Sequence, residues 1–467
     1  MTTLVIVESP KKVKTIGPIL GDRYTVMASV GHVRDLPSNE MGLEPPSFAL
    51  TYEATERGRS VLAKLKAAAK DADGVILATD PDREGEAISW HLAEALKLKN
   101  PQRVTFTAIT KDKILAAFAA PRPLDMQRVQ AQEARRALDR IIGYRVSPAL
   151  SDATGQKVGA GRVQSPAVRL VVDLERTITA FKSTQHYGAE LIFTNDDATS
   201  WKAQFDTKPH LADGEKYLLD DGLAKMAAAI RDVTVTEYSD SEENKAPQAP
   251  FTTSTLQQAA GQRLKLKPKE TMKIAQSLYD QGFITYLRTD SPNIDDEGVA
   301  DIAAYAQGAG LTLTDKPRKW KAKEGAQEGH EAIRPTHAAN LDCGADDAEK
   351  ALYRLIWQRA VASQLADAVY AVRAVRLAGD AEGTEVAFKA TGKTLTTPGW
   401  QAVYADDVAD EDSDKDETSS NPIPALAVDA ALVASDGRVL SKKTKPPVRY
   451  KLPTLVMRSE ERRVGKA

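Results

Sequence analysis

Two clusters of charged residues, far apart in the chain, have the makings of a site for phosphate or for a hard cation. Near the start, the apolar run Leu4-Val5-Ile6-Val7 leads directly into Glu8, Ser9 and Pro10, with Lys11, Lys12 and Lys14 close behind. The run reads as a short buried strand, Ser9 as an N-cap and Pro10 as the first residue of a helix. Glu8 then sits at the carboxyl end of a strand. The lysines fall in the first turns of the helix, where free backbone N–H groups already favour an anion. Farther on, a second buried strand, Val75 to Ala78, runs into Thr79-Asp80-Pro81-Asp82-Arg83-Glu84-Gly85-Glu86 and then an apolar helical stretch from Ala87 to Leu96. Four carboxylates so close together, offset only by Arg83, raise one another's pKa unless a cation or open solvent relieves the repulsion. Hard oxygen ligands of this type suit Mg²⁺. The plainer alternative is that Asp80 caps a helix begun by Pro81 and the other acids are solvated.

These clusters need a frame that brings them together. In open parallel sheets ligands bind at the carboxyl edge of the strands, so Glu8 and the later acids can converge although ~70 positions separate them. Strand, helix and strand in this order predict an α/β sheet covered by helices.

Further along, residues 126 to 146 predict one helix, with Met126, Ala134, Ala137, Leu138 and Ile141 on a core-facing side and Arg128, Arg135 and Arg136 roughly opposite. From Arg122 to Lys182 there are 11 Lys/Arg against 6 Asp/Glu, which suits a phosphate backbone or a solvated face. Gly159-Ala160-Gly161-Arg162-Val163-Gln164-Ser165 allows close backbone approach to a polyanion, with Ser165-Pro166 expected to cap the apolar helix that includes Val168 to Leu174. Thr253-Ser254 supplies caps for a helix over Leu256 to Leu266. A second helix covers Lys269 to Asp280, and Gly282 stops it. Tyr286 and Arg288 follow, a pair that means little in isolation.

The chain has 467 residues, 63 Lys/Arg against 65 Asp/Glu and a formal net charge of −2. That length predicts about three domains, and the charge excludes non-specific coating of nucleic acid by the whole chain while leaving room for a local basic groove. The longest apolar run, Ile114 to Ala120, is far short of the ~20 residues a membrane span needs, so no membrane partner and a cytoplasmic location are expected. The single cysteine, Cys343, excludes an internal disulfide and a four-cysteine zinc site. The acidic run Asp406 to Glu417 reads as a solvated loop.

Taken together, Val5-Ile6-Val7-Glu8-Ser9-Pro10-Lys11-Lys12 and Asp80-Pro81-Asp82-Arg83-Glu84-Gly85-Glu86-Ala87 resemble the TOPRIM fold of type IA DNA topoisomerases. Gly31-His32-Val33-Arg34-Asp35-Leu36 is similar to a family segment near bound DNA. Glu133-Ala134-Arg135-Arg136 to Gly143-Tyr144 and Gly161-Arg162-Val163-Gln164-Ser165 resemble its single-strand groove. Pro250-Phe251-Thr252-Thr253-Ser254-Thr255-Leu256-Gln257 and Ile284-Thr285-Tyr286-Leu287-Arg288-Thr289-Asp290 resemble its active-site segment. Gly329-His330-Glu331-Ala332-Ile333-Arg334-Pro335 and Leu352 to Arg359 also match, the latter stripe reading as core.

The resemblance implies a multidomain α/β protein forming a torus. Its parts are a TOPRIM domain at 1–121, a helical DNA-groove domain at 122–180 and 441–467, a β-rich arch at 181–245 and 373–440, and a tyrosine domain at 246–372. It implies Tyr286 as nucleophile, taking the 5′ end of a broken strand without ATP, with nearby cations favouring its phenolate. Arg288 and Lys12 would stabilise phosphoryl charge, Glu8 would protonate the departing 3′ oxygen, and His330 would contact DNA or the active site; a zinc role for His330 and Glu331 would need further ligands. Glu8, Asp80, Asp82 and Glu84 are the implied Mg²⁺ ligands. His32, Arg135, Arg136, Asp139, Tyr144, Gly159, Ala160, Gly161, Arg162, Val163, Gln164 and Arg288 are the implied DNA contacts, Arg136 and Tyr144 as part of a pocket selecting a base upstream of the break. The implied partner is single-stranded DNA within negatively supercoiled duplex, bound by a monomer at the nucleoid.

The segment from Lys445 to Tyr450 begins as the family does, but Arg458 to Ala467 does not continue it and resembles a translated adapter. A chain truncated inside the second groove segment is therefore expected. That keeps two further readings beside relaxation: a fragment that only binds or cleaves single strands, and another TOPRIM enzyme, a primase or nuclease, which leaves Tyr286 unexplained.

Overall fold

The computed structural model describes residues 2–321, 330–404 and 421–463. The acidic run Asp406 to Glu417, Gly329 of the histidine motif and the last four residues lie outside the described residues.

The first unit contains β1 (Thr3–Val7), α1 (Pro10–Leu20), β2 (Tyr24–Ala28), α2 (Glu56–Asp71), β3 (Gly74–Leu77), α3 (Arg83–Leu96), β4 (Gln102–Arg103) and α4 (Lys111–Ala119). Its sheet runs β2-β1-β3-β4 with every pair parallel. Side chains alternate across β1. Leu4 and Ile6 join Leu62, Leu65, Leu77, Ile88 and Leu92 on one face. Val5 and Val7 join Ile16 and Phe106 on the other. Both faces are covered, as expected for apolar parallel strands.

α5 (Met126–Ile141), a π-helical segment at Ile142–Val146, α6 (Ser147–Thr154) and α7 (Gln164–Ala180) follow. The helix expected over 126 to 146 is thus continuous over that span, widening into a π-helical turn from Ile142. Its expected core side is corrected: Met126 and Leu138 are both 45% exposed, and Val129 is the buried residue of α5. Periodicity shows that a helix has an apolar stripe but not whether another element covers it. Ser165 does not cap α7, which starts one residue earlier at Gln164; its hydroxyl accepts from the Gly161 N–H at 3.1 Å.

β5 (Gln185–Thr194), β6 (Ser200–Phe205), α8 (Asp221–Ala229) and β7 (Asp232–Lys245) open the second sheet. The chain then makes α9 (Thr253–Arg263), α10 (Pro268–Asp280), α11 (Asp296–Gly308) and α12 (Asp347–Ser363). It returns to the sheet with β8 (Ala368–Ala381), β9 (Thr384–Thr397), β10 (Ala431–Val433) and β11 (Asp436–Lys443), and α13 (Leu452–Arg463) comes last. This antiparallel sheet has the order β10-β7-β8-β9-β6-β5-β11. Trp201, Phe205, Leu377 and Phe388 form its core with Ala224 and Ala227 of α8.

Helices α9 to α12 share the Val5 and Val7 core through Leu256, Leu278, Tyr279, Ile302, Leu352 and Ile356. The first unit and the helices that flank Tyr286 are thus packed through one continuous apolar core. The cap of α9 is Thr252, in a reciprocal capping box with Thr255, rather than Thr253-Ser254. Gly282 does end α10: its φ of +82° suits glycine, and a Cβ there would lie 2.8 Å from the Ile109 carbonyl oxygen. Among the described residues no helix is long and apolar enough to cross a membrane.

Candidate functional site

The site forms at the carboxyl edge of the parallel sheet, against the segment that follows α10. Glu8 directly follows β1, and Asp80 lies just beyond β3. The Asp80 N–H donates to Glu8 Oε1 at 3.0 Å, so the two strand ends do converge. Ser9 caps α1 by accepting from the Lys12 N–H at 3.3 Å. The helix after the acidic loop begins at Arg83, with Asp82 rather than Asp80 as its cap: Asp82 Oδ1 accepts from the Gly85 N–H at 2.8 Å. A side chain at Gly85 would meet the Asp80 carbonyl oxygen at 2.2 Å, so only glycine lets the loop turn this tightly.

Asp82 uses its other oxygen on the tyrosine segment. The Tyr286 hydroxyl donates to Asp82 Oδ2 at 2.8 Å, and Arg288 donates to the same oxygen at 3.0 Å and to Glu84 Oε2 at 2.8 Å. His32 meets Glu84 Oε1 at 3.3 Å. His330 Nδ1 lies 3.3 Å from the Arg288 carbonyl oxygen, and its ring packs edge-on to Tyr286 with centroids 5.9 Å apart. Four segments distant in the sequence, those of His32, Asp82, Tyr286 and His330, are therefore linked at one site.

Lys12 is fully buried. Its ammonium pairs with Asp80, lies 3.8 Å from Asp280 Oδ1 and sits 4.9 Å from the centre of the Tyr279 ring. Burial works against its charge, but Asp80, Glu8 and Asp280 outweigh it and hold Lys12 protonated. Asp280 is in turn fixed by the Ser9 hydroxyl at 2.7 Å and Gln276 Nε2 at 3.0 Å. Glu86, assigned above to the acidic cluster, is spent elsewhere: it accepts from the buried Arg103 at 3.2 Å and from Arg122 at 2.8 Å.

Burial, then the Asp80 charge, push the Glu8 carboxyl up to about 8, leaving it protonated at neutral pH. The His32 hydrogen bond, together with Arg288, holds Glu84 down at about 2. Burial and the carboxylates of Asp80 and Asp82 drive the Tyr286 phenol far above its ordinary value, against the pull of Arg288. This corrects the expectation that surrounding cations favour the phenolate. Arg288 is shared between Asp82 and Glu84, and Lys12 is occupied by acids, so negative neighbours dominate.

The carboxylates have the oxygen-donor chemistry for a hard cation. Among the described residues, however, no three His, Cys, Asp or Glu side chains are gathered as a metal cage. Glu8, Asp80, Asp82 and Glu84 are instead neutralised separately by burial, Lys12, Arg288 and His32.

A cleft of about 650 Å³ brings Asp82, Glu84, Arg288 and His330 together with Arg135, Arg136 and Asp139 of α5. Arg136 is paired with Asp35. Tyr144 is not part of this wall; its hydroxyl donates to the Ser38 carbonyl at 2.6 Å and its ring lies under Arg140. The loop from Gly159 to Gln164 is also outside the wall, tied to it through Arg162 and Asp139 at 3.0 Å. Asp280 and Arg103 are the residues that sequence reasoning missed. Asp280 did carry a signal, since an acid at the last position of a helix opposes the dipole and implies an external cation.

Sequence models of two families match the chain: one described as DNA topoisomerase over residues 123–467, and the Toprim domain over 3–109. A relative described as DNA topoisomerase I, plasmid, from Xylella fastidiosa is 51% identical, with the alignment covering 99% of this chain and 71% of the relative. DNA topoisomerase 1 of Streptomyces coelicolor is 40% identical, and the match spans 53% of its length. The solved structure of full-length topoisomerase I from Thermotoga maritima superposes with a TM-score of 0.84 at 31% identity, over 99% of this chain and 76% of that one.

Proposed function

Because the chain belongs to the type IA DNA topoisomerases, ATP-independent enzymes that relax DNA, we propose that Tyr286 is its nucleophile, acting on single-stranded segments of negatively supercoiled duplex. The observation that carries this is the Tyr286 hydroxyl, held 2.8 Å from Asp82 between Arg288 and His330. The phenol stays neutral until DNA arrives, and Asp82 Oδ2 is placed to accept its proton as the oxygen attacks phosphorus. The new bond joins Tyr286 to the 5′ phosphate; the bond to the 3′ oxygen breaks, and protonated Glu8 supplies that oxygen's proton. Arg288, drawn from Asp82 and Glu84 to the phosphate, stabilises the developing charge, with Lys12 setting the potential from behind. Reversal restores the strand without an external energy source.

A Toprim domain is generally a divalent-metal-binding domain. Asp80 and Asp82, with Glu8 and Glu84 beside them, would hold Mg²⁺ here; bound, the ion would add a Lewis-acidic positive charge for phosphate oxygens. Arg135, Arg136, Asp139, His32 and Tyr144, with the Gly159 to Gln164 loop, line or support the path of the strand upstream of the break. The four-part torus, the monomeric state and a place at the nucleoid belong to the same reading.

Detergent trapping on labelled single-stranded DNA tests it. The label should remain on the Tyr286 peptide and vanish in Tyr286→Phe; label retained on another peptide would refute the assignment.

A further inference from the structure

Resting on the reading that Tyr286 holds the 5′ side of a broken strand, we infer that a second cavity binds the nucleotide immediately downstream of the break. This cavity, of about 660 Å³, is walled by Phe106, Thr107, Lys113, Arg122 and Arg128, and meets the α5 cleft at His330, which borders both. Pro81 lines this cavity and its neighbour Asp82 lines the cleft. The partition between them carries the nucleophile: the Tyr286 N–H donates to the Thr107 carbonyl at 2.7 Å, and the Tyr279 hydroxyl donates to that of Phe106 at 3.1 Å. A strand whose phosphate reaches Tyr286 has a nucleotide on each side of it. With the upstream side along α5, the downstream one enters this cavity.

The lining suits a nucleotide. Lys113, Arg122 and Arg128 outnumber the lining acid, Asp125. Their side chains are only partly covered, at 26%, 35% and 34% exposure. Arg128 pairs with Asp125 within the wall, while Lys113 and Arg122 reach acids beyond it, Asp295, Glu297 and Glu86, so a ligand phosphate would compete for cations that are partly exposed and already held in place. Phe106, Ala117 and Leu124 add apolar surface for a sugar or base. The volume lies within the ~300–1,000 Å³ of ordinary ligand pockets.

The experiment uses two oligonucleotides, identical upstream of the cut, one ending at the cut and the other carrying one further nucleotide beyond it. Their binding is measured in the Tyr286→Phe protein with and without Lys113→Gln and Arg128→Gln. The longer oligonucleotide should bind about tenfold more tightly, and the double substitution should remove that increment while sparing the shorter one. Lys113→Arg with Arg128→Lys should restore it, and a photoreactive downstream base should crosslink to residues 105–128. Equal weakening of both oligonucleotides, or crosslinking to the cleft-lining stretch of α5 from Ala131 to Asp139, would overturn the inference. In protein with Tyr286 intact, retention of label from the upstream fragment would instead overturn the 5′ reading beneath it.

Discussion

The junction around Tyr286 and the helices α5 to α7 carry charge in opposite ways. At the junction, Lys12, Asp80, Glu86, Arg103 and Asp280 are almost wholly buried, and each is matched to a partner distant in sequence. On α5 to α7, Arg136 pairs with Asp35 and Arg162 with Asp139 in the open, beside exposed Leu138, Val163 and Val168. The first arrangement fixes geometry at a high desolvation cost; the second leaves charges free to exchange partners with phosphate. On the function proposed above, rigidity is concentrated where a bond would be broken, and adaptability where a strand would be held.

Removing one buried partner should break the contrast most sharply. Asp80→Ala leaves Lys12 with no direct partner beyond Asp280 at 3.8 Å and the nearby carboxyl of Glu8, and should cost about 3–5 kcal/mol in denaturant unfolding as a poorly compensated buried charge. The variant should also lose the thermal stabilisation by Mg²⁺ that the intact protein is expected to show. Next comes pH. With Glu8 at about 8, cleavage without added metal should fall about tenfold per pH unit above that value as the acid loses its proton. The sign for stability follows: Glu8 binds a proton in the folded chain that the unfolded chain releases above its ordinary 4.5. Its stabilising contribution is therefore present at low pH and is lost as pH rises toward 8. A flat cleavage profile from pH 7 to ~9.5 would remove Glu8 as the proton donor.

On the groove side, Arg136→Ala should change stability by under ~1 kcal/mol. It should weaken single-strand binding by about tenfold and lower the salt slope by about 1. A large stability loss would show that α5 is built like the junction after all. The smallest effect belongs to Glu84, half-exposed between Arg288 and His32. Held at about 2, it stabilises the fold above the ordinary carboxylate range and loses that contribution as pH falls toward 2. Glu84→Gln should flatten acid unfolding slightly over that window.

Much of the junction is legible locally. Leu4 to Val7, the Ser9 cap, Pro10 and the acids after β3 each follow from short-range rules, and the strand-end logic brings Glu8 to Asp80. What stayed hidden depends on partners. Nothing near Arg103 announces that a buried strand arginine will hold Glu86 and the carbonyl of Asp80. The protonation of Tyr286 could not be read from Arg288 two residues away, because Arg288 is committed to Asp82 and Glu84. The stripe on α5 was read correctly as a pattern and wrongly as a core, since coverage is a property of the neighbours.

The hydrogen bond from the Tyr286 amide to Thr107, 2.7 Å long, has a consequence for motion. Any displacement that carries Tyr286 away from the sheet edge must break it and expose that amide to water. Deuterium uptake at this one N–H therefore times the parting of the two surfaces, independently of whether DNA has been cut.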